Sequence, residues 1–296
     1  MVLSKEKFIE EQSQKNLVLF DFAQKLDNSI IEKIEIIAGS VIISFANTGI
    51  KMYLRPGDKR IPQSEALNFG EYENKEINMV LSLAQNCKNI YDVGANCGWF
   101  SLELAARFPN ATIHAFEPVQ DLFHDLKQNL DLNKFENIKT FQFGFSNQNT
   151  KAQIYYDPMN SAHTSLASTI DSHSDEKLTD IDLKTLDSFA TAETKPDFIK
   201  IDVEGAELLV LQGAHSLIHK HQPIFFLEMV RKWTKHFNYH PNDLIHYLNE
   251  YDYSCYKILE NNKLKLYPHM SEEDLESNFV FLQNTKHRDL IAKFSV

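Results

Sequence analysis

The stretch YDVGANCG, residues 91–98, decides how the chain folds. A strand pattern ends in Asp92, the chain turns at Gly94, and Gly98 begins a helix whose free backbone N–H groups face the turn. Nicotinamide-binding proteins place glycines at relative positions one, three and six, whereas here they fall at one and five. The spacing therefore disfavours a pyrophosphate cradle, and the acid at the strand end favours a ligand that carries an ammonium group.

Strand and helix patterns alternate from this stretch onward. Strands are predicted over residues 89–93, 111–116, 138–145, 197–203, 223–230, 253–259 and 278–282, and helices over residues 98–108, 119–133, 206–211 and 241–248. This alternation predicts an α/β fold with a mostly parallel sheet and right-handed crossovers. Ligands of such sheets bind beyond the carboxyl ends of the strands, so the chemistry is expected there.

The N-terminal quarter has a different pattern. Residues 1 to about 30 are predicted to form a helix, and residues 31–54 a small antiparallel meander. We therefore expect an N-terminal extension over residues 1–75 and a main domain over residues 76–296. Residues 157–182 are rich in Ser, Thr, Asp and His and interrupt the alternation. This long loop is predicted either to fold over the site or to be a solvated insertion.

Acidic residues end several of the predicted strands. Glu117 lies 23 residues after Gly94, where a carboxylate can accept both hydroxyls of a ribose, and Pro118 closes that strand. In FIKIDVEGAE, residues 198–207, an apolar strand is interrupted by Lys200 and Asp202 and brings Asp202 and Glu204 to the expected site. They are candidate catalytic groups, although acids at this position also stabilise the start of the next helix. Glu228, at the end of an otherwise apolar strand, is a third candidate, since a buried acid without a partner or a task is costly.

Composition excludes several classes of function. The chain has 296 residues, of which 43% are hydrophobic and 24% charged, and its net charge is -11. This balance argues against nucleic acid as the main partner, because a duplex-binding surface needs a cationic face. Three cysteines without paired spacing predict neither a disulfide framework nor a zinc site. No stretch resembles a secretory signal or a membrane span, so we expect a soluble, cytoplasmic protein.

These motifs together resemble the FkbM family of S-adenosylmethionine-dependent methyltransferases. The resemblance rests on DVGANCG (92–98), AFEP (115–118), FIKIDVEGAELLVLQGA (198–214) and PIFFLEM (223–229), with LRPGD (54–58) and GEYENKE (70–76) upstream. It implies a seven-stranded class I methyltransferase (Rossmann-like) fold whose last strand is inserted antiparallel. It also implies methyl transfer to oxygen, often on sugars of polysaccharides, glycolipids or natural products.

The resemblance also assigns roles to individual residues. The implied cofactor-binding residues are Asp92, Gly94, Asn96 and Gly98 in the loop, Glu117 at the ribose, Glu73 at the amino-acid end, and Pro118 and Ser146 nearby. Ser146 belongs to Gly-Phe-Ser-Asn (144–147), which departs from the usual Ala-Leu-Ser-Asp.

The acceptor hydroxyl needs activation, because it is a poor nucleophile at neutral pH. Asp202, Glu204 or Glu228, or less favourably His163, is expected to take its proton. The three carboxylates are alternatively a Mg²⁺ site, which the sequence allows without requiring. Nicotinamide-dependent oxidation and a non-catalytic, cofactor-binding interaction module remain the alternative functions. The N-terminal segment is a candidate for forming a homodimer.

Overall fold

The computed structural model describes residues 4–166, 177–274 and 277–296, which form three sheets flanked by helices. The strands are β1 Ile31–Ile37, β2 Ser40–Phe45, β3 Lys51–Tyr53, β4 Asn89–Val93, β5 Thr112–Phe116, β6 Ile138–Phe141, β7 Gly144–Phe145, β8 Thr150–Asp157, β9 Asn160–Ser165, β10 Lys177–Lys184, β11 Phe198–Ile201, β12 Ile224–Glu228, β13 Tyr253–Leu259, β14 Lys263–Leu266 and β15 Asn278–Gln283. The helices are α1 Lys5–Lys25, α2 Pro62–Phe69, α3 Asn74–Leu83, α4 Trp99–Arg107, α5 Gln120–Asn133, α6 Leu186–Phe189, α7 Glu207–Gln212, α8 His215–His221, α9 Arg231–Thr234, α10 Pro241–Asn249 and α11 Arg288–Phe294.

The largest sheet has the strand order β14-β13-β15-β12-β11-β4-β5-β6. Strands β4, β5, β6, β11 and β12 pair in parallel, and β15 is inserted antiparallel between β12 and β13. This confirms the α/β fold and the class I order of seven strands with an antiparallel last strand. The eighth strand, β14, was not predicted; it pairs antiparallel with β13 at the sheet edge.

Helices cover both faces of this sheet, so the core has two apolar layers. Neighbouring residues of β4 point to opposite layers: Ile90 packs with Leu102 and Leu126 of α4 and α5, and Tyr91 packs in the layer that contains Leu217 and Leu244 of α8 and α10. This alternation follows from the two-residue period of a strand. Burial on both faces accounts for the nearly continuous apolar strands of the sequence.

The winding direction of the sheet reverses between β4 and β11. From β4 the chain proceeds through β5 to β6 on one side, and β11 and β12 lie on the other. A crevice opens at the carboxyl ends of the strands at such a point, and ligands bind there. The loop after Val93 and the residues after Ile201 therefore meet at the expected position.

The N-terminal residues form the predicted helix and meander. Strands β1, β2 and β3 pair antiparallel, and their buried residues Ile43 and Met52 belong to the same apolar cluster as α4 and α5. Helix α1 buries none of its residues and exposes large apolar side chains such as Phe8 and Phe20. A division into domains at residue 75 stays a prediction. Across the described ranges, no helix is both long and apolar enough to cross a membrane.

A second sheet, of order β7-β10-β8-β9, corrects two sequence predictions. Residues 138–145 do not form one strand, because β6 belongs to the main sheet whereas β7 pairs with β10. The predicted loop over residues 157–182 is wrong where it is described, since β9 and the start of β10 lie within it. Residues 167–176 lie outside the described part of the chain. This sheet packs against the start of α5 through Ile154, Ile181 and Leu183.

Candidate active site

The turn after β4 is held tightly against two neighbouring strands. The backbone N–H groups of Gly94 and Ala95 both donate to the carbonyl oxygen of Phe116, at 3.0 and 2.9 Å. Gly94 has φ +79, and a Cβ on it would lie 1.9 Å from the carbonyl oxygen of Asp202. Both the left-handed backbone and the close approach require glycine at this position. The turn therefore brings the loop after β4 and the end of β11 into direct contact.

The rest of this loop leads into α4. Gly98 has φ +95 and is the N-cap of the helix, where a Cβ would lie 2.6 Å from Leu126. Asn96 is also left-handed, with φ 49, and its side-chain Nδ2 donates to the carbonyl of Ser161 in β9 at 3.1 Å. Its buried Oδ1 has no hydrogen-bond partner among the described residues. Asn96 thus joins the loop to the second sheet and leaves an acceptor for a ligand.

Glu117 is buried at the end of β5, and both its oxygens accept backbone hydrogen bonds. The N–H of Asn96 donates to Oε2 and the N–H of Val119 to Oε1, each at 2.9 Å. Burial raises the pKa of Glu117 to about 7, although both hydrogen bonds favour the ionised form. Each oxygen keeps a further lone pair for a hydroxyl. The predicted ribose role is compatible with this geometry and stays a prediction.

Glu117→Gln is expected to lower stability by about 1–3 kcal/mol, because the amide NH₂ would face one of the two backbone donors and leave it buried without an acceptor. We also expect weaker binding of S-adenosylhomocysteine. Urea unfolding and calorimetry measure the two effects. The exposed Glu136→Gln is the control and is expected to shift stability by less than about 0.5 kcal/mol. Equal behaviour of the two variants would contradict this account.

Asp92 lies beneath the loop and does not line the cavity. Its Oδ2 accepts a hydrogen bond from Ser101 Oγ at 2.6 Å, and its Oδ1 lies 3.6 Å from Lys200 Nζ. Lys200 Nζ also donates to Asp202 Oδ2 at 3.0 Å. Burial lowers the pKa of Lys200, but Asp202 and Asp92 together raise it above its ordinary value. Asp92 is therefore already engaged within the protein, and its predicted direct contact with a cofactor stays untested.

Three carboxylates meet at the carboxyl edge of the sheet. Asp202, Glu204 and Glu228 each contribute an oxygen, and these oxygens lie within 4.8 Å of one another. Burial, and next the charge of Asp202, raises the pKa of both glutamates well above their ordinary value. Glu204 also has a left-handed backbone, with φ 52. The structure thus brings together all three residues that were predicted to be catalytic, in an environment that disfavours three simultaneous negative charges.

Glu73 lies close to this cluster, at the start of α3. It is half-buried and left-handed, with φ 43, and burial followed by the charge of Asp202 raises its pKa to about 8. Glu207 is buried beside the cluster, where its Oε1 accepts hydrogen bonds from the backbone N–H groups of Val203 and Gly205, and Glu103 is buried elsewhere. Burial raises the pKa of each to about 7. In the unfolded chain these carboxyl groups titrate near 4.5. The folded state consequently holds protons that the unfolded state has already lost at neutral pH.

Stability is therefore expected to fall as pH rises from about 6.5 to about 8.5, where these glutamates lose protons in the folded state only. Burial lowers the pKa of His114 and of His287 to about 4. Their titration therefore makes stability rise with pH up to about 6.5, and it has no effect above that pH. Urea midpoints of the ligand-free protein at three pH values test this. Glu73→Gln is expected to flatten the upper part of the fall. A midpoint that rises over this interval would contradict the assignment.

Most of the predicted site residues line one cavity of about 290 Å³. The predicted site residues that line it are Glu73, Gly94, Asn96, Glu117, Pro118, Asp202, Glu204 and Glu228. Gly98 and Asp92 lie behind its wall, and Ser146 is buried against Gly213, with its backbone N–H donating to the carbonyl of Lys184. The side chain of His163 lies outside what the structure describes.

Sequence reasoning missed part of this wall. Ile154, Ile181 and Leu183 of the second sheet line the cavity, as does Lys200. For Ile181 and Leu183 a signal was present in KLTDIDLK (177–184), where apolar and polar residues alternate as the buried and exposed positions of the strand do, but the polar composition obscured it. Trp233 also lines the cavity, with Lys232 Nζ 4.5 Å from the centre of its ring.

Comparison with known proteins gives a family match. A model of the methyltransferase FkbM domain matches residues 92–255, more than half of the chain. Methyltransferase sdnD of Sordaria araneosa is 31% identical (42% of this chain, 59% of that relative), and the hexuronic acid methyltransferase AglP of Haloferax volcanii is 28% identical (48% and 56%). The chain thus spans less than three fifths of the length of these relatives. A solved methyltransferase FkbM from Methylobacillus flagellatus is 19% identical (66% and 43%), with a TM-score of 0.41.

Proposed function

Because the chain belongs to the FkbM methyltransferase family, we propose that it transfers a methyl group from S-adenosylmethionine to a hydroxyl of a sugar. The acceptor class comprises nucleotide-linked sugars, polysaccharides and glycolipids. One observation carries the proposal: the three carboxylates of Asp202, Glu204 and Glu228 share a cavity with the turn at Gly94 and with Glu117. A group able to activate a hydroxyl thus lies beside a loop suited to a nucleoside.

The residues of the cavity fit S-adenosylmethionine. Its acidic lining suits a ligand with a sulfonium and an ammonium group, and Glu73 is the nearest candidate for the amino-acid end. Glu117 keeps acceptor capacity for ribose hydroxyls, and Asn96 Oδ1 is an acceptor that no described residue uses. Leu122, Ile181 and other apolar side chains on one wall suit a flat aromatic base. When bound, S-adenosylmethionine would supply a methyl group carried on a positively charged sulfur, and S-adenosylhomocysteine, a neutral thioether, would be the leaving group.

The protein's own task is then to hold and activate the acceptor. Positioning the attacking oxygen supplies most of the advantage when the leaving group is already good. We assign Asp202 as the base that accepts the proton of the acceptor hydroxyl. Its carboxylate is one-third exposed and is held by Lys200. Glu204 and Glu228, whose pKa burial raises well above the ordinary value, carry protons and donate hydrogen bonds to other oxygens of the acceptor.

The same three carboxylates are also a possible ligand set for a divalent cation. Oxygen ligands suit Mg²⁺, which would lower the pKa of a bound hydroxyl without any proton acceptor. We favour the base, because Asp202 is already paired with Lys200. Dialysis against EDTA decides between the two roles: methyl transfer that persists supports the base, and transfer that is lost and then restored by Mg²⁺ supports the metal.

Sugar as the acceptor rests on the sequence resemblance and on the relative named for hexuronic acid. Trp233 at the cavity wall adds a flat apolar face of the kind that packs against a sugar ring. Homodimerisation through α1 is a further proposal, supported by the exposed apolar side chains of that helix. Sedimentation of the full chain and of a chain shortened by residues 1–27 would test it.

Mass spectrometry tests the proposed function directly. The protein is incubated with methyl-labelled S-adenosylmethionine and a panel of nucleotide sugars, oligosaccharides and glycolipids. We expect one acceptor to gain the mass of one methyl group at oxygen. Intact binding of S-adenosylhomocysteine without transfer to any acceptor would favour a non-catalytic module. Thermal protection by NAD, without protection by S-adenosylhomocysteine, would favour an oxidoreductase.

A further inference from the structure

We propose that Lys200 is a positioning residue, which fixes the carboxylate of Asp202 at the cavity edge by holding it and Asp92 with one buried ammonium group. This inference rests on the proposed function for its effect on turnover, but not for its effect on stability. No functional role was predicted for Lys200 from the sequence.

The pairing of the strands places the three charges together. Lys200 of β11 lies directly opposite Asp92 of β4 in the parallel register. Asp202 follows two residues later, and residues two apart in an extended chain point to the same side. The three side chains therefore converge at the point where the sheet changes winding direction.

The contacts of Lys200 connect this cluster across the two strands. Its Nζ donates to Asp202 Oδ2 at 3.0 Å, lies 3.6 Å from Asp92 Oδ1, and lies 4.9 Å from the centre of the Phe100 ring. The lysine side chain is only 4% exposed, so solvent contributes little to holding its charge. A buried ammonium needs such partners, because isolated burial of a charge is very unfavourable.

The two carboxylates differ in what else holds them. Asp92 is almost fully buried and has a second partner, Ser101 Oγ at 2.6 Å. The carboxylate of Asp202 is one-third exposed, and its ion-pair partner is Lys200, at 3.0 Å. Removing the ammonium would free Asp202 to rotate toward water and would leave two negative groups near one another. Asp202, which touches the acceptor in the proposed reaction, thus depends on Lys200 for its orientation.

Turnover measures the positioning effect. With the acceptor that the wild-type protein methylates, Lys200→Met is expected to lower kcat by about 10²-fold, the typical cost of displacing a reacting group by ~1 Å, while the KM for S-adenosylmethionine changes little. Lys200→Arg, which keeps the charge, is expected to recover part of that loss. Lys184→Met is the matched control, since it also removes a cation above an aromatic ring but lies outside the cavity. Unchanged kcat in Lys200→Met would overturn the proposal.

A double-mutant cycle gives a readout that needs no acceptor. The free energy of unfolding is measured for Lys200→Met, Asp202→Asn and the double variant. We expect Lys200→Met to be much less damaging in the Asp202→Asn background, with a coupling of at least about tenfold in the unfolding equilibrium constant. Additive effects would contradict the inference. Failure of the proposed function would leave this coupling intact, so the two failures are distinguishable. If Lys200→Met does not fold, Lys200→Gln replaces it in both experiments with the same criteria.

Discussion

Gly94→Ala is expected to abolish binding of S-adenosylhomocysteine and to lower methyl transfer by at least ~10²-fold. The new Cβ would lie 1.9 Å from the carbonyl oxygen of Asp202, a distance that no relaxation of a side chain can relieve. Either the turn or the end of β11 must shift, and a shift of ~1 Å in a reacting group has a cost of this size. Calorimetry and the mass-spectrometric transfer assay measure the two effects.

Gly39→Ala is a closely matched control for this variant. Gly39 has φ +78, against +79 for Gly94, but nothing lies within 4 Å of the Cβ it would gain. Both variants therefore carry the same left-handed backbone cost of about 1–2 kcal/mol, and only Gly94→Ala adds the clash. We expect Gly39→Ala to lose stability but to keep cofactor binding. Equal cofactor affinity in the two variants would show that the turn at Gly94 does not form the site.

Asp202→Asn is expected to lower kcat by about 10²–10⁴-fold, the range that a general base contributes, while affinity for S-adenosylhomocysteine is largely kept. The amide keeps an oxygen that can accept the hydrogen bond from Lys200 Nζ, so the strand end should stay in place. It cannot accept the proton of the acceptor hydroxyl. Steady-state kinetics and calorimetry separate the loss of kcat from any loss of binding.

The same substitution at Asp182 is the control. Asp182 lies in β10, is 60% exposed and forms a surface ion pair with Lys151 at 3.6 Å, which contributes little to stability. Asp182→Asn is expected to keep kcat within about twofold. Should Asp202→Asn behave in the same way, Asp202 is not the base, and Glu204 and Glu228 become the groups to test.

Much of the fold could be predicted from local patterns. The strand over residues 89–93 was predicted with its observed bounds. A short apolar run followed at once by the turn at Gly94 is typical of a buried strand, and the glycine marks where it ends. The parallel sheet and its antiparallel last strand are confirmed. Both follow from features that are local in sequence or from a resemblance carried by contiguous motifs.

The second sheet shows what composition conceals. Residues 157–182 contain many Ser, Thr and Asp, which favour turns, and this suggested a loop. In the structure Ile181 and Leu183 alternate with exposed residues and pack against α5, so burial of one face overrides the polar composition. The split between β6 and β7 has the same origin, because β7 pairs with β10, which lies over 30 residues later.

The charges of the site could be predicted only in part. Asp202 and Glu228 were identified because acids at the ends of apolar strands are conspicuous. The arrangement of Asp92, Lys200 and Asp202 depends on the register between β4 and β11, which are separated by about a hundred residues. No local pattern determines that register. The sequence therefore indicated which groups meet at the sheet edge, but not which of them are already paired.

A crystal structure of the protein with S-adenosylhomocysteine tests the central claim most directly. The account predicts that the nucleoside lies against the turn at Gly94, that its ribose hydroxyls contact Glu117, and that its sulfur faces the carboxylate of Asp202. A nucleoside bound elsewhere, or a ribose with no contact to Glu117, would contradict the assignment of this cavity as the site of methyl transfer.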